Sequence, residues 1–155
     1  MITGTSAFMK YGDPHTEAHM TVWDVPTELE IGAIPRKIYC NAAMVKPLRL
    51  AISHLITRGY IDELKTWDGC FNLRPIRGYE QRYMHLMDEG STAQAMDLLS
   101  LHSWGIAIDV NASWNKLGAE PTLTAGFVRC FTDAGFIWGG DWKRKDGMHF
   151  QLDRI

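Results

Sequence analysis

This chain has little of what marks the common classes of partner-bound protein, and each shortage excludes something. It holds only three cysteines (Cys40, Cys70, Cys130), an odd number with no Cys-X-X-Cys pair. That count excludes a disulfide framework and predicts buried or free thiols made in a reducing cytoplasm. Neither charge sign dominates: 16 Lys and Arg stand against 18 Asp and Glu, a net charge of −2. Such a balance gives no footing for nucleic acid or for stable association with an anionic membrane. No apolar run is long enough to span a bilayer. The start, Met1-Ile2-Thr3-Gly4-Thr5, lacks the basic run and apolar stretch of a signal peptide, so none is expected. Repeats, low-complexity stretches and linkers are absent too. What remains is one domain over residues 1–155, with 46% hydrophobic residues, enough for a real core.

Pattern along the chain predicts mixed elements without a βαβ rhythm. Residues 1–18 are polar and turn-prone around Gly12-Asp13-Pro14 and are expected to form a loop or arm. His19 to Val25 alternates weakly, as an edge strand stopped by Pro26 would. Asn41 to Arg58 reads as a helix, with Met44, Leu48, Ile52 and Leu55 on one face, Asn41 as N-cap and Gly59 at C′. Pro47 either kinks that helix or marks its first turn. Phe71 to Arg77 is expected to be extended, since Arg74 precedes Pro75. Tyr79 to Leu99 is helix-like and broken near Gly90. Thr122 or Thr124 caps a helix running to Gly135. Residues 105–111 and 147–152 read as strands. The fold class expected is α+β, a small antiparallel sheet flanked by helices.

Chemistry is concentrated in two short clusters, Ser100-Leu-His102-Ser-Trp104-Gly105-Ile-Ala107-Ile-Asp109 and Asp146-Gly-Met-His149. Catalytic zinc takes three N or O protein ligands and keeps one position open. His102, Asp109 and His149 could supply the three, and Asp146 an acid beside them. Strand alternation supports convergence. Ile106, Ile108 and Val110 face one way and Gly105, Ala107 and Asp109 the other, while His149 and Gln151 oppose Met148, Phe150 and Leu152. If the two strands are neighbours with matched faces, Asp109 and His149 meet. Plain hydrogen-bond networks also gather such residues, so the residues alone leave both readings open. His15, His19, His54 and His85 belong to no ligand-spaced cluster. Lys143, Arg144 and Lys145 read as a solvated basic turn, and Gly139-Gly140 as a turn or bulge. Trp104, Trp138 and Trp142 could belong to the core or to a substrate groove. No Ser nucleophile elbow and no phosphate loop is present.

The pattern SxHxxGxAxD with a downstream DxxH resembles the metal signature of the D-Ala-D-Ala carboxypeptidase family of LAS-type zinc peptidases. That family takes in vancomycin-resistance dipeptidases and carboxypeptidases and the L-alanyl-D-glutamate endopeptidases of bacteriophage. The resemblance runs from about Asn41 to Phe150 and includes Trp67 to Gly78 and Gly135 to Trp142. It implies an LAS/hedgehog-like fold, zinc as cofactor on His102, Asp109 and His149, Asp146 as catalytic base and Arg74 as a substrate-side arginine. Arg77 is the alternative for that last job, and Ser100, Trp104 and Trp142 are candidate substrate-side residues. The resemblance implies a peptidoglycan stem peptide as substrate; a monomer is expected, and because the catalytic domain takes up nearly all 155 residues, no separate wall-binding domain is expected. Many members have Glu where this chain has Asp146; Asp points to the phage endolysin subgroup and to the L-Ala–D-Glu bond. Such an enzyme would wait in the host cytoplasm and reach the wall at lysis. The segment Tyr79 to Leu99 is longer than the family's usual link. Two rivals stay open: a D-Ala-D-Ala carboxypeptidase, and a metal-bound recognition module without turnover.

Overall fold

Thr3 overturns the expected N-terminal loop. In the computed structural model, which describes residues 1–155, its hydroxyl accepts from the Ser6 N–H while Ser6 Oγ accepts from the Thr3 N–H. This reciprocal cap opens helix α1 (Gly4–Tyr11), and Asp97 secures it by accepting from the Thr5 N–H and hydroxyl at 3.1 and 2.7 Å. Gly4 is required there, because a Cβ would lie 2.3 Å from the Met96 carbonyl oxygen. The arm reads as polar because its helix is short and rests on a cap, with only Gly4 and Ala7 fully enclosed.

Strands β1 (Met20–Asp24) and β2 (Lys37–Asn41) pair antiparallel as a two-stranded sheet, with Trp23 opposite Ile38. Asn41 then caps as expected, but it caps one 3-10 turn whose Ala43 N–H it accepts; helix α2 (Val45–Thr57) follows. Pro47 sits in the first turn of α2, where a missing N–H leaves no helical bond unmade, so the helix is not broken there. Leu48, Ala51, Ile52 and Leu55 are wholly buried, and Gly59 ends the helix at a φ of 81°.

The four-stranded sheet runs β3-β4-β6-β5, antiparallel throughout: β3 (Trp67–Gly69), β4 (Ala107–Val110), β5 (Phe136–Trp138) and β6 (His149–Leu152). β4 and β6 fall within the expected spans. β3 and β5, three residues each, are too short to show alternation. Between β3 and β4 lie helices α3 (Glu80–Asp88) and α4 (Thr92–Met96), separated at Gly90 with a φ of 80°. Phe71 to Arg77 is irregular apart from one isolated bridge, Pro75 to Leu99, which lies outside both sheets. Thr124, rather than Thr122, caps α5 (Ala125–Thr132) by accepting from the Phe127 N–H.

The core lies between the sheet and the α2/α5 pair. Phe131 stacks on Phe150 with ring centroids 4.4 Å apart, and Phe127 and Phe136 pack beside it. All three cysteines are free and buried. No helix is long and apolar enough to cross a membrane. The architecture is α+β, with small antiparallel sheets flanked by helices.

Candidate metal centre

Register settles the strand argument. β4 and β6 are neighbours, and Asp109 stands directly opposite His149, with Ala107 opposite Gln151. Ile108 and Phe150 form the next pair and point into the core. Asp109 and His149 therefore rise side by side on the other face, where Ala107 leaves space.

His102 arrives from a 3-10 turn just before β4. The Ser100 hydroxyl accepts from the His102 N–H and starts that turn; Gly105 ends it at a φ of 67°. Only glycine serves at 105, because a Cβ would come within 2.6 Å of the Met20 side chain and 2.8 Å of the Asn41 nitrogen. The Gly105 carbonyl then accepts from the Asn41 N–H, tying the turn to β2.

The ligating atoms of His102, Asp109 and His149 all lie within 4.8 Å of one another. His102 Nε2 is 3.1 Å from Asp109 Oδ2, and His149 Nδ1 is 3.6 Å from Asp109 Oδ1. Each imidazole is oriented from behind. His102 Nδ1 donates to the Cys70 carbonyl at 2.7 Å, and His149 Nε2 donates to Gln151 Oε1 at 3.0 Å. In their neutral form both rings thereby present an unprotonated nitrogen to the centre. Yet His102 Nε2 and Asp109 Oδ1 are buried and make no hydrogen bond. A network that satisfied itself would not leave two such atoms bare, since each costs about 1–3 kcal/mol. The donor set, two imidazole nitrogens and a carboxylate beside an open cavity, fits zinc.

Charge follows the same geometry. Burial pushes Asp109 toward its neutral form, but the two imidazoles outweigh it and hold the carboxyl well below the usual range. Burial works against protonated His149, yet Asp109 and then Asp146 overcome it and raise its pKa above 6.5. Asp146 is raised chiefly by burial, against the opposing pull of His149, His102 and Arg74. The Cys70 thiol is pushed well up by burial and is no nucleophile.

Asp146 is brought beside the cluster by a turn. The His149 N–H donates to the Asp146 carbonyl, and Asp146 Oδ2 comes to 3.9 Å from His149 Nδ1. Gly139 holds that turn by accepting from the Asp146 N–H; a Cβ on Gly139 would sit 2.6 Å from the Asp146 carbonyl oxygen. Gly139-Gly140 is thus a turn, as expected, with a steric reason.

A cavity of about 710 Å³ opens over the cluster. Arg74, Arg77, Ser100 and Trp142 line it alongside Asp109, Asp146 and His149. Arg74 is half-buried, with Nη1 on the Pro75 carbonyl, and the Trp142 ring lies 5.3 Å from that of His149. Ser100 is 8% exposed and its hydroxyl is spent on the His102 turn, so it supports a ligand more than it offers a contact. Trp104 is a correction. It is fully buried, its Nε1 donates to the Gly12 carbonyl, and no substrate can reach it. The Trp-Gly context fits either a groove or a core; packing of α1 against this turn decides for the core.

Four contributors escaped the sequence reading. The Cys70 carbonyl is backbone and leaves no mark in the side-chain pattern. Gln151 shares the face of His149 two residues on, a signal that was available. Arg144 and Lys116 both line the cavity. Arg144 was hidden inside a basic run that reads as solvated turn.

Comparison with known proteins agrees in part. Residues 93–152 match the family model described as D-alanyl-D-alanine carboxypeptidase. No curated protein matches. Among solved structures the chain is similar to the Serratia marcescens L-Ala D-Glu endopeptidase ChiX, at 25% identity over 73% of this chain and 80% of that one. The TM-score of 0.35 is too low for that protein's activity to bear on this chain. The matched segment 93–152 contains His102, Asp109, Asp146 and His149.

Proposed function

We propose that this protein is a zinc-dependent peptidoglycan hydrolase that cuts the stem peptide at the L-Ala–D-Glu bond, as a bacteriophage endolysin does. One observation carries the reading: three ligating atoms within 4.8 Å, two of them buried without hydrogen bonds, beneath a groove. The match of residues 93–152 to a peptidase family model supports it.

His102 Nε2, the Asp109 carboxylate and His149 Nδ1 would hold the ion. When bound, zinc supplies Lewis-acid polarisation of the scissile carbonyl and makes water acidic enough to attack near neutral pH. Asp146 takes the proton of the attacking water and returns it to the leaving amine. Its raised pKa, caused first by burial, suits a group that must both accept and release a proton. Cys70 and Gln151 keep the two imidazoles in the ligating tautomer. Arg74 holds a substrate carboxylate through its planar fork, which lysine cannot copy.

The choice of bond rests on Asp146 where many relatives of the motif have Glu, and on what lysis requires. Trimming terminal D-Ala leaves existing cross-links intact; cutting L-Ala–D-Glu releases the stem from the glycan. The rival, a D-Ala-D-Ala carboxypeptidase, is favoured by the description of the matching family model. Digestion of purified sacculi distinguishes them. The proposal expects falling turbidity and new D-Glu amino termini by mass spectrometry. Free D-Ala with unchanged turbidity would establish the rival instead. In this setting the enzyme is made in the host cytoplasm and meets its substrate only after release to the wall.

A further inference from the structure

The groove carries more positive charge than the chemistry at its floor requires. Arg74, Arg77, Lys116 and Arg144 all line it. None of the four is ion-paired; the chain's surface pairs instead engage Arg36, Lys37, Arg58, Lys145 and Arg154. The groove's carboxylates are Asp109 and Asp146 at the floor and Asp97, which is committed to capping α1. A chain of net charge −2 has thus gathered unpaired cations around one cavity. Such a field favours anionic ligands and draws them toward the groove.

Arg144 stands out because it is held. Its Nη1 donates to the Arg77 carbonyl at 2.7 Å, which ties the turn bearing Asp146 to the segment bearing Arg74 and Arg77. One donor is used and the rest of the guanidinium fork stays free for a carboxylate. Lys116 belongs to the same wall, since the Gly118 N–H donates to the Lys145 carbonyl at 2.7 Å. That bond ties the 116–118 loop to the turn carrying Arg144.

We infer that Arg144, assisted by Lys116, forms a second carboxylate subsite, separate from Arg74, so that the groove selects peptides bearing two carboxylates. One carboxylate lies beside the scissile bond, the other further along the peptide. This inference rests on the stem-peptide reading for the nature of the ligand, and it assigns Arg144 to specificity rather than to bond cleavage.

The test is a cycle between variant and ligand. Two synthetic peptides containing L-Ala–γ-D-Glu are compared, one with both carboxylates free and one with the distal carboxylate amidated. Binding is measured by calorimetry on zinc-loaded protein in an Asp146→Asn background, so that neither peptide is consumed. Arg144→Gln should weaken the dicarboxylate by about tenfold or more and leave the amidated peptide unchanged. Lys116→Gln should do the same to a smaller degree, and Arg144→Lys should restore part of the loss. Equal weakening of both peptides would make Arg144 a loop anchor only and overturn the subsite; so would no weakening of either. If binding discriminates as expected while the unmodified protein cuts neither peptide, the hydrolase reading falls and the subsite stands.

Discussion

The floor of the groove and its rim are built by opposite means. The three ligands at the floor come from ordered backbone: His149 from β6, Asp109 from β4, His102 from a turn closed by Ser100 and Gly105. Each is backed by a named hydrogen bond or by strand register. Rim residues come from irregular segments. Arg77, Lys116 and Arg144 are exposed, and two bonds to backbone carbonyls join their loops, from Arg144 Nη1 to Arg77 and from the Gly118 N–H to Lys145. Under the proposed function, the difference separates two jobs. Chemistry needs ligands held to fractions of an ångström, which packed strands supply. Recognition of a long peptide tolerates looser parts and draws on loops.

Damage to the floor should therefore be close to absolute. His102→Ala or His149→Ala removes one of three ligands and should abolish zinc binding and hydrolysis together. Metal analysis of purified protein checks this; about one zinc per chain in both variants would break the contrast. Asp146→Ala lies one step out. It should keep zinc and fold while hydrolysis falls by at least ~10²-fold, the usual scale for a lost general base.

Support behind the floor should show graded effects. Gln151→Leu keeps the strand but removes the acceptor for His149 Nε2, and should weaken zinc affinity about 10–100-fold in chelator competition. Affinity unchanged in that variant would mean packing alone orients His149. Acidity acts on the same residue. The folded pKa of His149 is raised, so in the metal-free protein its charged form with Asp109 stabilises the fold fully below about 6.5. That contribution is lost as pH rises through the folded pKa. Zinc has the reverse dependence, since its ligand must be unprotonated. Zinc affinity should fall steadily as pH drops below the raised pKa of His149, and competition titrations across pH 5–8 would show it.

The rim should give the smallest changes. Arg74→Lys keeps charge but loses the fork, and should raise KM several-fold with zinc content unchanged. If Arg77→Lys is impaired and Arg74→Lys is not, Arg77 is the residue that holds the substrate carboxylate.

What could be read from residue order alone was whatever depends on local spacing. Period-two alternation placed Asp109 and His149 on the non-core faces of their strands, and Asn41 and Gly59 marked helix ends through a side chain or the lack of one, while Thr122 and Thr124 stayed equal candidates until the Phe127 N–H selected Thr124. Tertiary structure decided the rest, for three physical reasons. Strands β3 and β5 form because β4 and β6 offer edges to pair with, not because three residues prefer extension. Trp104 is core rather than groove because α1, itself fixed by Asp97 from far along the chain, places the Gly12 carbonyl over it. The orientation of His102 depends on a backbone carbonyl at Cys70, and a carbonyl belongs to every residue alike; only the fold selects which one meets the imidazole.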